Sequence, residues 1–206
     1  MTTTSKITVI TGHFGCGKTN LAVNYALNLS RKGTTVTVAD LDIVNPYFRT
    51  ADFKELFAES GITLAASDFA NSSLDVPSVK LNVQGALSQS EHLIIDVGGD
   101  ADGARALGRF APTVTEIGYE MLYVVNCYRN LTRTSDEAVM LMRSIEKSSG
   151  LKVTAIVNNS NLGKETTDEV VAKSEPFARE IADKTGLPLF ELDSPVKVYV
   201  KPLWEV

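Results

Sequence analysis

A glycine-rich segment near the start of the sequence has the residue types and spacing of a phosphate-binding loop. Residues 12–19 read GHFGCGKT and match the pattern G-x-x-x-x-G-K-[ST], between a β-branched run and a helical pattern. In such a loop, backbone N–H groups and the N-terminus of the next helix point at phosphate oxygens. We expect Lys18 to neutralise those oxygens as a catalytic residue and the Thr19 hydroxyl to bind Mg²⁺. The predicted nucleotide-binding residues of this segment are Gly12, His13, Phe14, Gly15, Cys16, Gly17, Lys18, Thr19 and Asn20.

Three aspartates stand at the ends of predicted strands. Asp40 and Asp42 end the second strand, and Asp96 ends the run 93–96. In open parallel sheets, ligands bind at the carboxyl ends of the strands, so these carboxylates are expected to face the phosphate loop. They would repel one another without a divalent cation, which implies Mg²⁺. The alternative for each aspartate is that it only caps a turn or helix.

Strand and helix patterns alternate along the whole chain. Strands are predicted over 6–11, 34–39, 92–97, 121–126, 152–157 and 187–192, and helices over 20–31, 50–59, 76–88, 135–148 and 165–184. Thr134 and Glu137 form a capping-box pattern, and Pro176 is expected to kink or divide the last helix. Residues 93–95 and 123–125 are apolar on both faces. We therefore predict an α/β fold, a doubly wound, mostly parallel sheet with helices on both faces, in a single domain over 1–206.

Composition excludes several classes of function. The 206 residues contain 20 Lys and Arg against 25 Asp and Glu, for a net charge of −5, so nucleic acid is not expected as a direct ligand. No apolar run approaches the ~18 residues that span a bilayer, and the polar N-terminus lacks the apolar core of a secretory signal. We expect a cytoplasmic protein without membrane attachment. Its two cysteines, Cys16 and Cys127, do not form a zinc-binding pattern.

The order and spacing of these motifs resemble one class of nucleotide hydrolase. Gly17-Lys18-Thr19, Asp40-x-Asp42 and Asp96-Val97-Gly98-Gly99 look like the motifs of the MinD/ParA and iron-protein group of P-loop ATPases, the SIMIBI class, and the resemblance covers nearly the whole chain. The resemblance implies that Asp96 is the Walker B aspartate, which holds Mg²⁺ through water. It further implies that Asp40 supports the same water shell and that Asp42 positions the attacking water. Segments 11–19 and 40–49 are also similar to small bacterial proteins described only as ATP-binding.

One position departs from that group. The MinD/ParA loop carries a signature lysine that reaches the nucleotide of a dimer partner, and the residue here is His13. An imidazole is shorter than a lysine side chain and mostly neutral near pH 7, so activation of hydrolysis by this residue across a dimer is not expected. Whether the protein forms a homodimer is left open. The arginines that could supply the missing charge are Arg49, Arg105, Arg109 and Arg129.

The loop after the fifth predicted strand is a candidate for base recognition. It reads Asn158-Asn159-Ser160-Asn161, and it lacks the acceptor-only carboxylate of the N-K-x-D motif that binds guanine. An amide suits adenine better, so we predict ATP as the nucleotide, with Asn158 and Asn159 in the site. The alternative is an ordinary polar loop. By resemblance only, segment 194–197 closes the base pocket.

Three functions fit these observations. The first is a slow Mg-dependent ATPase that acts as a nucleotide switch, in which loops 40–49 and 96–103 signal to an unidentified protein partner. The second is an ATP-dependent small-molecule transferase or ligase resembling dethiobiotin synthetase, with an acceptor pocket walled by Asp68, Ser72 and Ser73. The third is a nucleotide-gated binding module without turnover.

Overall fold

The part of the chain that the structure describes is built on one parallel sheet of seven strands. The computed structural model describes residues 5–42, 50–65, 81–130 and 132–190. Of residues 51 and 52 it describes only the backbone. The sheet order is β3-β2-β4-β1-β5-β6-β7, and every pairing is parallel. The strands are β1 (Ile7–Gly12), β2 (Val36–Leu41), β3 (Thr63–Ala65), β4 (His92–Val97), β5 (Glu120–Val125), β6 (Ala155–Asn158) and β7 (Leu189–Phe190).

Helices connect these strands and cover both sides of the sheet. They are α1 (Lys18–Arg31), α2 (Lys54–Glu59), α3 (Val83–Gln89), α4 (Ala101–Gly108), α5 (Ala111–Ile117), α6 (Ser135–Ser149) and α7 (Asp168–Thr185), with 3-10 turns at Thr50–Phe53 and Gly163–Glu165. Ile94 lies in the core beneath α1 and α2, whereas Leu93 and Ile95 lie in the core beneath α3 to α7. The strands are apolar on both faces because both faces are covered. The predicted doubly wound α/β architecture is thus confirmed.

The central strands bring the predicted motifs to one edge of the sheet. β1 lies between β4 and β5, and β2 lies on the other side of β4. In the register, Ile10 is opposite Asp96, Asp96 is opposite Asp40, and Gly12 is opposite Val124. The carboxyl ends of β1, β2 and β4 therefore meet where the phosphate loop begins.

The structure adds elements to the predicted set. β3, α4 and α5 were not predicted, and β2 extends to Leu41, so that Asp40 lies inside the strand. The extension follows from pairing with β4, which continues to Leu41 opposite Val97. α4 has eight residues and α5 has seven, so each is shorter than the window of about 11–18 residues over which a helical apolar pattern is recognised.

The ends of the last two helices show which local signals were reliable. The Thr134–Glu137 capping box is present: Glu137 N–H donates to Thr134 Oγ1 and Thr134 N–H donates to Glu137 Oε2. Of the two alternatives for Pro176, division of the last helix was wrong, because α7 continues through it as one helix, and a kink stays a prediction. Pro176 has no N–H to donate to the carbonyl oxygen four residues earlier in the helix, and because this part of α7 is exposed, that oxygen can bond to water instead. Of the helices in the described part, none is at once long and apolar enough to cross a membrane.

Candidate functional site

The phosphate loop depends on two glycines with positive φ. Gly12 ends β1 at φ +146°, and a side chain there would collide with the carbonyl oxygen of Val124. Gly17 precedes α1 at φ +93°, and a side chain there would collide with Asn159 Nδ2. Both positions require glycine, because the backbone conformation and the close neighbours each disfavour a Cβ atom. α1 then begins at Lys18, so the loop leads straight into a helix N-terminus.

Lys18 lies over its own loop. Its side chain is largely buried, with 5% of the residue exposed, and Nζ donates to the carbonyl oxygen of His13 at 3.3 Å. None of the ion pairs found among the described residues involves this ammonium group. A buried cation held over a glycine loop without a carboxylate partner is suited to bind an anion.

Thr19 and Asp96 meet at the base of the loop. Thr19 Oγ1 donates to Asp96 Oδ2 at 2.8 Å, although the two residues are 77 positions apart. Asp96 is fully buried, and its Oδ1 has no hydrogen-bond partner among the described residues. Burial, followed by repulsion from Asp40, raises the pKa of Asp96 to about 7, although Lys18 and Thr19 oppose the rise. An unpartnered buried carboxylate oxygen next to a threonine hydroxyl fits a hydrated divalent cation.

Asp40 and Asp42 complete the acidic side of the site. Asp40 Oδ1 accepts a hydrogen bond from the backbone N–H of Asp42 at 2.9 Å, which orders the end of β2. A Cβ atom at Gly98 would lie 3.2 Å from Asp42 Oδ1, so this carboxylate reaches the segment after Asp96. In the described ranges, no three His, Cys, Asp or Glu side chains are grouped closely enough to hold a metal by themselves. Mg²⁺ does not need such a group, because it usually retains waters and binds substrate phosphates.

The segment after Asp96 packs directly on the phosphate loop. A Cβ atom at Gly99 would lie 2.7 Å from both Gly12 O and Phe14 N. Behind it, the Asp100 side chain caps α4 by accepting from Gly103 N–H at 2.7 Å. A Cβ atom at Gly103 would lie 2.6 Å from the Gly98 Cα atom. The phosphate loop, the segment 98–100 and the N-terminus of α4 are therefore in backbone contact.

His13 and its neighbours in the loop show how the departure from the signature lysine is accommodated. His13 is 1% exposed, and its Nδ1 donates to the carbonyl oxygen of Phe14 at 2.8 Å. Burial is the main cause that lowers the pKa of His13. The imidazole is therefore neutral and turned into the protein, whereas Phe14 is 54% exposed. Cys16 packs in the core, and burial raises the pKa of its thiol to about 11, as expected for a filler residue.

The asparagines after β6 are bonded within the protein. Asn159 is buried, and its Nδ2 donates to Cys16 O at 2.9 Å, which braces the phosphate loop. Asn158 donates to Ser174 Oγ and accepts from Ser160 N–H. Asn161 bridges Asn159 O and the N–H of Gly163. The base-recognition role of Asn158 and Asn159 stays a prediction, and their bracing role is an additional one.

The remaining predicted residues are spread more widely. Asn20, in the first turn of α1, has a buried Oδ1 that lacks a partner among the described residues. Arg105 pairs with Asp102 on the surface, and the exposed Arg109 caps the far end of α4. Some of the predicted residues lie outside the described ranges: Arg49, Asp68, Ser72, Ser73 and the segment 194–197.

Sequence reasoning missed the packing roles of Gly99, Gly103 and Asp100. A signal for the cap was present, because Asp100 precedes an alanine-rich run, as an N-cap residue should. The contacts of the two glycines join backbone segments that no local pattern relates. The brace from Asn159 to Cys16 spans 143 positions and had no local signal either.

Comparison with known proteins gives likenesses of structure. No family model and no curated protein matches this sequence. Among solved structures, the chain is similar to the cell division protein FtsY from Thermotoga maritima, at a TM-score of 0.62 and 17% identity, covering 96% of this chain and 65% of that one. It is also similar to the signal recognition particle 54 kDa protein from Aeropyrum pernix in complex with GDP, at 0.58 and 19%, covering 96% and 44%. A third likeness is to a nucleotide-binding protein from Archaeoglobus fulgidus in complex with ADP, at 0.54 and 18%, covering 90% and 80%.

These likenesses establish the fold. The chain has the fold of P-loop NTPases of the SIMIBI class, which confirms at the level of the fold the resemblance seen in the motifs. The chain spans only 44% to 65% of the length of the first two of these structures. At identities below one fifth, the likeness concerns the fold alone.

Proposed function

We propose that the protein binds Mg·ATP at residues 12–20 and hydrolyses it slowly as a nucleotide switch. The observation that carries the proposal is the hydrogen bond from Thr19 to the fully buried Asp96, whose second oxygen has no partner in the described part of the chain. It joins the phosphate loop to the strand-end carboxylate predicted to hold Mg²⁺. The unpaired ammonium of Lys18 and the backbone N–H groups at the start of α1 supply the positive side of the site.

Each residue has a separate part in this mechanism. Lys18 binds phosphate oxygens, and Thr19, Asp96 and Asp40 hold Mg²⁺ directly or through water. Mg²⁺, when bound, neutralises charge that develops on the phosphate oxygens during transfer. Asp42 lies beside Gly98 and orients the attacking water.

The switch uses the contact between two loops. Gly99 touches the backbone of Gly12 and Phe14, so a change in the phosphate loop is passed to residues 98–100 and to α4. Loss of the γ-phosphate removes contacts on one side of this junction. An unidentified protein partner or a second copy of the chain would sense the result, whereas a small-molecule acceptor belongs to the alternative of a transferase.

We propose ATP rather than GTP because Asn161 stands where guanine recognition uses a carboxylate. The similar solved structures contain both GDP and ADP, so they do not favour either base. Calorimetric titration with both nucleotides tests this part. Equal affinities would remove the argument for ATP.

Replacing Lys18 tests the binding site. We expect Lys18→Ala to abolish measurable Mg·ATP binding and to leave the fold intact, because the ammonium is not bonded into the core. Lys32→Ala is the matched control, since it removes the same charge at the opposite, exposed end of α1. Circular dichroism checks the fold, and calorimetry measures binding. Tight binding by Lys18→Ala would contradict the assignment of the loop.

Replacing Asp42 tests hydrolysis. We expect Asp42→Asn to lower kcat by roughly 10²-fold, as for a positioned general base, with the ATP dissociation constant within a few-fold of the parent. Asp102→Asn, which removes an exposed carboxylate on α4, should leave both values unchanged. A parent that binds ATP without turnover under any condition would show a binding module. Turnover that required an added metabolite would instead favour a transferase.

A further inference from the structure

The phosphate loop lacks an outward-facing cation. At the position after Gly12, His13 is buried, bonded to Phe14 O and held neutral by burial. It cannot extend towards a nucleotide on the open side of the loop. Lys18 is then the one cationic side chain within residues 12–20. Transfer of a phosphoryl group places negative charge on several oxygens, and a second cation usually stabilises it.

The turn after β5 places another cation at this edge. β5 is paired with β1, with Val124 opposite Gly12, so the residues after Val125 follow the strand next to the phosphate loop. Asn126 O accepts from Arg129 N–H at 3.3 Å, and Asn126 Oδ1 accepts from Tyr128 N–H at 3.0 Å. The turn 126–129 therefore carries Arg129 at a defined place beside the loop.

Two further contacts hold this turn to the rest of the site. Cys127 N–H donates to Ser160 Oγ at 3.0 Å, and the Tyr128 hydroxyl donates to Val170 O at 2.5 Å. The turn is thus tied to the loop after β6 through its backbone and to α7 through the Tyr128 side chain, while the Arg129 side chain is exposed. A guanidinium on a fixed backbone loses less freedom when it binds an anion.

The charges around Arg129 favour an anion from outside. Burial is the main cause that lowers the pKa of His13, and the positive charges of Lys18 and Arg129 lower it further, in keeping with the place of the turn beside the loop. None of the ion pairs in the described ranges gives Arg129 an acidic partner. A guanidinium without an acidic partner among the described residues, on a turn that follows the strand next to the phosphate loop, is suited to contact a phosphate oxygen.

The other arginines considered for this role are less suitable. Arg105 is paired with Asp102, and Arg109 stands eight residues beyond the start of α4, which is about 12 Å along the helix axis. Arg133 lies in the same connection as Arg129, but it donates to Asn130 Oδ1 and its charge acts on Glu137.

We propose that Arg129 contacts the γ-phosphate of the bound nucleoside triphosphate and supplies, from the same chain, the cation that the loop lacks at His13. This inference rests on the proposed nucleotide binding. It removes the need for a lysine from a second copy, because the required charge is already present in the monomer.

Binding of two nucleotides tests the contact without any measurement of turnover. Calorimetry with Mg²⁺ compares ADP and a non-hydrolysable ATP analogue on the parent, Arg129→Ala, Arg129→Lys and the control Arg133→Ala. We expect Arg129→Ala to lose about tenfold in affinity for the analogue, as for one charge-assisted hydrogen bond, with ADP affinity unchanged. Arg129→Lys should keep part of the preference, and Arg133→Ala all of it.

Titration of His13 in the nucleotide-free protein gives a second readout. The sequence has two histidines, so NMR follows both rings, and the buried His92, which is bonded to Thr8, serves as the internal control. We expect Arg129→Ala to raise the pKa of His13 and to leave that of His92 unchanged. An unchanged His13, or equal losses for ADP and the analogue, would overturn the inference. If the parent protein bound neither nucleotide, both the proposed function and this inference would fail. If Arg129→Ala bound the analogue as tightly as the parent does, only this inference would fail.

Discussion

At the scale of single residues, the site is defined by charges that the fold keeps out of water. Asp96 is fully buried, has one unpartnered oxygen, and lies near the carboxylates of Asp40 and Asp42. Such a cluster is unfavourable without a cation, because each charged carboxylate is desolvated and repels the others. The protein retains this arrangement, which is typical of a site that is completed by a ligand.

The pKa of Asp96 leads to a prediction about stability and pH. Its folded-state value of about 7 lies above the ordinary value of 3.8, so between these values the folded protein holds a proton that the unfolded chain has lost. This contribution to the free energy of unfolding is present at low pH and is lost as pH rises to about 7. Without metal, we expect Asp96→Asn to be more stable than the parent at pH 8, by about 1–3 kcal/mol, and to differ little at pH 4.

Urea unfolding in the presence of EDTA at the two pH values measures this difference. Asp102→Asn removes an exposed carboxylate and should show no such dependence on pH. A gain for Asp96→Asn that is equal at both pH values would mean that Asp96 titrates normally. The same variant should weaken Mg-dependent nucleotide binding, which separates it from Asp42→Asn.

At the scale of elements, the close approach of two loops connects the nucleotide site to α4. Gly99 leaves no room for a side chain between the segment 98–100 and the phosphate loop. Because the atoms that a Cβ would meet belong to the backbone, a rotamer change cannot relieve the contact. The junction is therefore the point at which a substitution should affect both stability and binding.

We expect Gly99→Ala to lower the free energy of unfolding by about 1–3 kcal/mol and to weaken nucleotide binding, because the methyl group displaces Gly12 and Phe14. Gly108→Ala is the matched control at the other end of α4, where the nearest backbone oxygen would be 3.2 Å away. Urea unfolding and calorimetry measure the two effects. If Gly99→Ala bound nucleotide as the parent does, this contact would not couple the loops.

At the scale of the whole molecule, the ligand should stabilise the fold that forms its site. Residues from β1, α1, β2, β4 and β6 contribute to one edge of a single sheet, so unfolding removes the site completely. A ligand that binds only the folded state adds to stability in proportion to the logarithm of its concentration.

We expect a non-hydrolysable ATP analogue with Mg²⁺, at about a hundred times its dissociation constant, to add about 2.7 kcal/mol. For a chain of this size, that gain corresponds to a rise in Tm of about 5–10 °C. Thermal unfolding followed by circular dichroism measures the shift. EDTA should reduce it, and Lys18→Ala should abolish it. A full shift in Lys18→Ala would place the binding site elsewhere.

Local patterns in the sequence determined the parts of this protein that depend on near neighbours. The phosphate loop was recognisable because glycines, a lysine and a threonine at fixed spacing are needed to surround a phosphate group. The apolar runs predicted the parallel sheet, since strands covered on both faces require no polar alternation. The capping box of α6 was readable because its two hydrogen bonds join residues three positions apart.

Tertiary structure alone decided which distant groups meet and how deeply they are buried. Thr19 reaches Asp96 across 77 positions and Asn159 reaches Cys16 across 143, through a strand order in which neighbours in space are not neighbours in sequence. The burial of His13 and the exposure of Arg129 also depend on how β5 and its turn lie beside β1. A local pattern specifies backbone preference and chemistry, whereas desolvation and long-range contacts depend on the packing of the whole sheet.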